Sequence, residues 1–87
     1  MVDIHKFKAV VKFDFDDNKE IVLENISPFQ ENKSVVIYKQ DLIQQLKEKD
    51  FTTNQIKYIM KTNIEYCSKF DENLVEINRN CIVDIFI

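Results

Sequence analysis

The segment Phe51-Thr52-Thr53-Asn54-Gln55-Ile56 carries the sharpest local signal in the sequence. Thr52 followed three residues later by Gln55 is typical of a capping box, in which both side chains bond backbone N–H groups at a helix start. Phe51 and Ile56 hold the positions of a hydrophobic staple across the same start. We therefore predict a helix that begins after Thr52 and ends near Lys69, with one apolar face toward a core.

The residues before this segment predict another helix and a short strand. Residues 39–49 place Leu42, Ile43 and Leu46 at helical spacing among good helix formers. Residues 35–38 are continuously apolar and mostly β-branched, which favours a central strand that is covered on both faces. The two predicted helices are joined by about four residues.

The N-terminal part predicts an antiparallel hairpin. Residues 7–15 alternate between apolar and polar, which is typical of a half-buried strand. Residues 16–19 supply turn formers, and residues 20–26 are apolar again. Pro28 then opens a polar stretch at 30–33, which we predict to be a connection.

The C-terminal part predicts two more strands. We predict a turn at residues 71–73 and a strand at residues 74–77. Residues 78–80 are predicted to form a tight turn, with asparagine available for left-handed geometry. Residues 81–87 form a final, very apolar strand. We expect one α+β domain over residues 1–87, in the order β-β-β-α-α-β-β, with a mainly antiparallel sheet of N- and C-terminal hairpins packed against two helices.

Composition bounds the class of protein. The 87 residues are 45% hydrophobic and 31% charged, with a net charge of −3, which is typical of a small acidic globular domain. The longest apolar runs have about four residues, against roughly 20 for a membrane-spanning helix. The N-terminus has no apolar region typical of a secretory signal. We therefore expect no membrane partner, and a soluble protein in the cytoplasm.

The chain contains no glycine, and its basic residues are eleven lysines and one arginine. Both features fit an AT-rich genome. Without glycine, backbone positions with positive φ must be taken by asparagine or aspartate. Glycine-rich loops that hold phosphates are disfavoured for the same reason, which argues against nucleotide-dependent enzymes.

The sequence contains only weak candidates for catalytic, cofactor-binding or metal-binding residues. Asp14, Asp16 and Asn18 have the spacing that opens a calcium-binding loop, but Lys19 stands where the loop needs glycine. The single histidine, His5, is distant in sequence from the two cysteines, Cys67 and Cys81, which stand in apolar segments typical of packing residues. We therefore predict no catalytic, cofactor or metal site and no enzyme activity.

The two helices followed by two strands look like the helix, turn, helix, wing order of a winged-helix domain over residues 40–87. This generic likeness implies that the second helix reads nucleic acid. The candidate contact residues are Asn54, Gln55, Lys57, Tyr58, Lys61 and Arg79. Residues 39–69 are the only basic part of the chain, but the acidic total favours a protein partner over nucleic acid.

Acidic residues cluster around the predicted first hairpin and again near the C-terminus. The first group comprises Asp14, Asp16, Asp17, Glu20 and Glu24, and the second Asp71, Glu72, Glu76 and Asp84. If the two hairpins adjoin, these groups form an acidic face that binds a protein with a basic surface. The alternative is that the charges serve solubility alone.

These observations favour a small non-catalytic protein-binding domain. Its size and residue usage look like those of accessory proteins of phages and mobile elements, including inhibitors of host defence nucleases. The alternatives are a winged-helix-like DNA-binding regulator and a phage structural or assembly component. In the last case, the apolar strand at 82–87 or the edge of the first hairpin pairs with a neighbouring subunit, as in a homo-oligomer.

Overall fold

The computed structural model describes residues 7–13, 19–29, 34–66 and 73–86. The predicted α+β class is confirmed, with an antiparallel sheet and two helices. The strands are β1 (Phe7–Lys12), β2 (Glu20–Phe29), β3 (Ser34–Tyr38), β4 (Ile64–Tyr66), β5 (Leu74–Ile77) and β6 (Ile82–Phe86), and the helices are α1 (Lys39–Glu48) and α2 (Thr53–Thr62). None of the helices in these ranges is long and apolar enough to cross a bilayer.

The strands lie in the order β4-β5-β3-β2-β1-β6 and all pair antiparallel. The predicted N-terminal hairpin is confirmed, because β1 pairs with β2 along its length. The central position of β3 is also confirmed, since it lies between β5 and β2. Val35, Val36 and Ile37 of β3 are all buried, as a strand covered on both faces requires.

The predicted C-terminal hairpin is wrong. β5 pairs with β3 on one side and β4 on the other, so neither of its edges is left for β6. The chain leaves β5 through a short 3-10 turn at Arg79–Cys81, where the N–H of Cys81 donates to the carbonyl of Asn78 (2.9 Å). β6 then pairs with β1, at the opposite end of the sheet order. The asparagines available for left-handed geometry in this turn, Asn78 and Asn80, do not have positive φ.

The second helix is shorter than predicted, and it is followed by β4, a strand in addition to the five that the sequence predicts. The capping box is confirmed at the helix start, but α2 ends at Thr62. Asn63, which is 2% exposed, donates from Nδ2 to the sulfur of Cys81 (3.3 Å), and its carbonyl accepts the N–H of Asn78 (3.0 Å). Asn63 is the C-cap of α2, since its N–H still donates to the carbonyl of Ile59 (2.9 Å) while its own carbonyl bonds to Asn78. Ile64 then starts a strand paired with β5. Residues 67–70, predicted as the last helical turn, lie outside the described residues.

Pro28 lies within β2, opposite Val35 of β3, rather than at the start of a connection as predicted. The described ladder between β1 and β2 ends at the pair of Phe7 and Ile26. A proline two residues later therefore removes no hydrogen bond from that ladder, which is why a strand tolerates it there.

The core lies between the sheet and the two helices. Alternate residues of β1 face it, as the sequence pattern predicted, alternate residues of β2 do the same, and α1 and α2 contribute apolar residues from their inner faces. Fully or almost fully buried members include Ala9, Val11, Leu23, Ile26, Ile37, Leu42, Leu46, Ile56 and Ile59. Phe13 is buried beyond the end of β1 and packs edge-to-face on Phe51, with ring centroids 6.5 Å apart. This contact ties the connection between the helices to the sheet.

Two described residues have positive φ, Asn25 (59°) and Asp50 (68°), as expected for a chain without glycine. Asp50 ends α1 in a Schellman motif. Its N–H donates to the carbonyl of Lys47 (3.1 Å), and the N–H of Phe51 donates to that of Leu46 (3.1 Å). Aspartate thus holds the position where helices most often use glycine.

Replacing Asp50 by glycine is expected to raise the free energy of unfolding by about 0.5–1 kcal/mol, because glycine adopts positive φ without a Cβ penalty. Asp50→Ala is the matched control and should lower it by about 1 kcal/mol, since alanine keeps the Cβ and loses the polar side chain. Urea unfolding at constant m-value measures both. Destabilisation by glycine would contradict the strain assigned to this position.

Candidate functional site

Three adjacent strands, β2, β1 and β6, turn one face to the core and the other to solvent. We call the solvent-facing side the outer sheet face. Because Ala9 and Val11 are buried, the residues that alternate with them point outward. The pairing registers place the following side chains on the outer sheet face: Lys8, Val10, Lys12, Glu20, Val22, Glu24, Asp84 and Phe86.

Apolar side chains are concentrated on this part of the sheet. Among the described residues, five large hydrophobic side chains are exposed, and three of them belong to β2 and β6: Val22 (39%), Val83 (51%) and Phe86 (40%). Val10 joins them, because it lies opposite Val22 on one side and Asp84 on the other. Val83 stands where the pairing of β6 with β1 shifts by one residue. The sheet therefore presents an apolar strip rather than a purely charged surface.

Charged residues border this strip. The Nζ of Lys8 lies 3.5 Å from a carboxylate oxygen of Glu24, and both side chains are about half exposed or more, so the pair adds little stability. Lys12 stands opposite Glu20 in the register. Asp84 of β6 is exposed and completes the set. Carboxylates outnumber amines on the outer sheet face by three to two, from the residues placed there above.

The structure brings together part of the predicted acidic face. Glu20 and Glu24 lie on the outer sheet face, and Asp84 joins them because β6 pairs with β1. Glu76 does not, since β5 is separated from β2 by β3. Asp14, Asp16, Asp17, Asp71 and Glu72 lie outside the described residues.

A buried glutamine, which the sequence analysis did not single out, fixes the middle of β2. The N–H of Glu24 donates to Oε1 of Gln45 (2.8 Å), and Nε2 of Gln45 donates to the carbonyl of Glu24 (2.9 Å). The same amide group donates to Asp41 (3.3 Å). Gln45 thus replaces a strand partner at the point where β3 does not yet pair with β2, next to the positive-φ residue Asn25. The register between β1 and β2 shifts here, from Ala9 opposite Leu23 to Phe7 opposite Ile26, and such a bulge bends a strand and increases its twist.

β6 forms one end of the sheet order, so its second edge carries no strand among the described residues. The N–H of Ile85 donates to Oδ1 of Asp84 (2.9 Å), a bond within the strand itself. A concave site of about 350 Å³ runs beside β6. Its lining residues are Arg79, Ile82, Val83, Asp84 and Ile85.

The candidate nucleic-acid residues of α2 are only partly available. Asn54, Lys57, Tyr58 and Lys61 are exposed. Gln55 is engaged in the capping box, where its Oε1 accepts the N–H of Thr52 (2.8 Å).

Arg79 is exposed on the turn after β5, which is tied to the end of α2 by a bond from Nδ2 of Asn78 to the carbonyl of Thr62 (3.3 Å). The two strands predicted as the wing, β5 and β6, do not pair with each other.

Few described residues have the chemistry of a reactive site. Cys81 is a buried thiol outside any disulfide, and its sulfur accepts a hydrogen bond from Asn63, in a setting typical of a packing residue. The described ranges contain no group of three or more His, Cys, Asp or Glu side chains able to hold a metal ion. His5, Cys67 and the residues with the spacing of a calcium-binding loop, Asp14, Asp16 and Asn18, lie outside those ranges.

No protein-family model matches the chain, and no curated protein or solved structure matches it significantly. Three surface features carry the chemistry that a function can use: the outer sheet face, the open edge of β6 and the exposed side of α2.

Proposed function

We propose that this chain is a non-catalytic domain that binds another protein through the outer sheet face. The observation that carries the proposal is the strip formed by Val10, Val22 and Phe86, bordered by carboxylates. Protein interfaces typically combine an apolar, often aromatic centre with a polar rim. A face that served solubility alone would gain nothing from an exposed phenylalanine beside an exposed valine.

The charge of this face favours a partner with a basic surface. Lys8 is already paired with Glu24, and Lys12 lies opposite Glu20, whereas Asp84 lies opposite Val10 and has no lysine across from it. The chain as a whole carries −3. Complementary charge of this kind speeds encounter and selects the partner more than it adds affinity. An inhibitor or adaptor of a host protein, encoded by a phage or mobile element, belongs to this proposal.

Site-specific photo-crosslinking tests it in cells of the native host. A benzophenone amino acid at Phe86 should give a discrete crosslink to protein, whereas the same amino acid at Tyr58 should not. Tyr58 is the matched control, because it is an aromatic residue of similar exposure (46%) on α2. Mass spectrometry identifies the partner. Crosslinks from Tyr58 only, or from neither position, would overturn the outer sheet face as the binding surface.

A second candidate function, nucleic-acid binding through α2, rests on a separate observation. The helix exposes Lys57, Tyr58 and Lys61, and its first turn contains no acidic residue that would repel a phosphate. The same experiment separates the two candidates, since the photoreactive group at Tyr58 would then crosslink to DNA or RNA. The net charge of the chain, −3, makes this the weaker proposal, because nucleic-acid binding requires positive charge to neutralise phosphates.

A further inference from the structure

The backbone of β6 directs hydrogen-bonding groups toward its open edge, and the pairing pattern shows which ones. Successive residues of a strand turn their N–H and C=O groups to opposite edges. The N–H and C=O groups of Glu24 both point to Gln45. The N–H and C=O groups of the preceding residue, Leu23, therefore point the other way, to Ala9 of β1. Ala9 thus bonds toward β2, and Ile85, opposite Ala9 on the other side, must face the open edge.

The side chain of Asp84 accepts the hydrogen bond of the Ile85 N–H, the donor that an added strand would use. Its Oδ1 accepts the N–H of Ile85 at 2.9 Å, in agreement with the outward direction derived from the pairing. Edge strands are commonly protected by charged side chains, which hinder unwanted pairing. Here the protecting group is itself a charge that a partner can recognise, because an incoming amine would draw the carboxylate from the N–H.

We infer that the open edge of β6 binds an extended segment of the partner protein as an added strand, with a lysine or arginine facing Asp84. The inference rests on the proposed function and names the chemistry of the partner. On binding, the carboxylate of Asp84 pairs with the basic side chain. The N–H of Ile85 then donates its hydrogen bond to a carbonyl of the added strand instead of to Asp84. The concave site beside β6 gives this strand its place, and the exposed Val83 and Phe86 supply apolar contacts.

The charge pattern of β6 argues against a second copy of the chain as the occupant. Asp84 is the only charged residue in the segment Ile82–Phe86. Antiparallel pairing of two copies centred on this segment would bring two carboxylates to the same face at neighbouring positions, which is destabilising. A foreign strand with a central basic residue removes this repulsion and replaces it with attraction.

Peptide titration of the full chain tests the inference. The probes are two short, acetylated and amidated peptides of alternating valine and threonine, one with a central lysine and one with a central glutamate. The lysine peptide should bind roughly fivefold to tenfold more tightly, and it should shift the Ile85 amide resonance and slow its hydrogen exchange. Asp84→Asn keeps an acceptor for Ile85 but removes the charge, and should abolish this preference.

The outcomes separate the edge from the outer sheet face. Binding of neither peptide, or equal binding of both by the parent protein, would overturn the inference. Partner crosslinks at Phe86 that leave the Ile85 amide unprotected would also overturn it while the proposed function stands. Asp84→Ala frees the N–H and removes the repulsion, so this variant should self-associate at concentrations where the parent is monomeric. A strictly monomeric Asp84→Ala protein would contradict the protective role.

Discussion

Replacing Gln45 by methionine is expected to lower the free energy of unfolding by about 2–4 kcal/mol, because two backbone groups of Glu24 then lose their hydrogen bonds. Gln45 is 7% exposed, and its amide both accepts from and donates to Glu24. Methionine matches the glutamine in length but can make neither bond. The N–H and C=O of Glu24 face a helix rather than a strand, so their loss is not repaired by the sheet.

Gln44→Met is the matched control, since Gln44 is the preceding residue of α1 and is exposed. It should change the free energy of unfolding by about 0.5 kcal/mol or less. Thermal unfolding followed by circular dichroism should show a decrease in Tm of roughly 10–20 °C for the Gln45 variant only. Equal effects of the two substitutions would show that Gln45 does not anchor β2.

The features of the fold that depend on neighbouring residues were predictable from the sequence. The capping box at Thr52 and Gln55, the alternation of β1 and the use of Asp50 for positive φ each follow from the backbone needs of a few adjacent residues. Such needs are met locally, so the pattern alone indicates the structure.

The strand pairing was not predictable in the same way. Ile64 continues the apolar periodicity of α2, yet it forms β4 and pairs with Ile77 of β5, while the preceding Asn63 bonds to Cys81 and Asn78. β4 occupies one edge of β5, and β6 pairs with β1. The helix end and the partner of the last strand both involve contacts between distant parts of the chain, and such contacts leave no local pattern in the sequence.

Only part of the candidate surface was predictable, because one part depends on local pattern and the other on the pairing of distant strands. Glu20 and Glu24 belong to the hairpin that local alternation predicts, and the outer sheet face includes them. Asp84 and Phe86 join that face only through the pairing of β6 with β1. The sequence predicted a very apolar final strand, but it did not predict that this strand adds to an apolar strip on the outer sheet face.

Replacing Phe86 by alanine is expected to weaken binding of the crosslinked partner roughly thirtyfold or more, as for an aromatic anchor residue of an interface. Phe86 is 40% exposed in the free chain and lies opposite Lys8, at the end of the strip. Because much of its ring is already in water, its loss should cost the folded state only about 1 kcal/mol. Affinity and stability should thus respond very differently to this one substitution.

Tyr58→Ala supplies the control, as it removes a similarly exposed aromatic ring from α2. Partner affinity measured by titration calorimetry should stay within about twofold of the parent value for this variant, because surface changes outside an interface are nearly neutral. The opposite result, with affinity lost at Tyr58 and kept at Phe86, would assign binding to α2. Loss at both positions would point to an altered fold, which the unfolding curve of each variant detects directly. Only a selective loss at Phe86 supports a partner seated on β6 and the strands beside it.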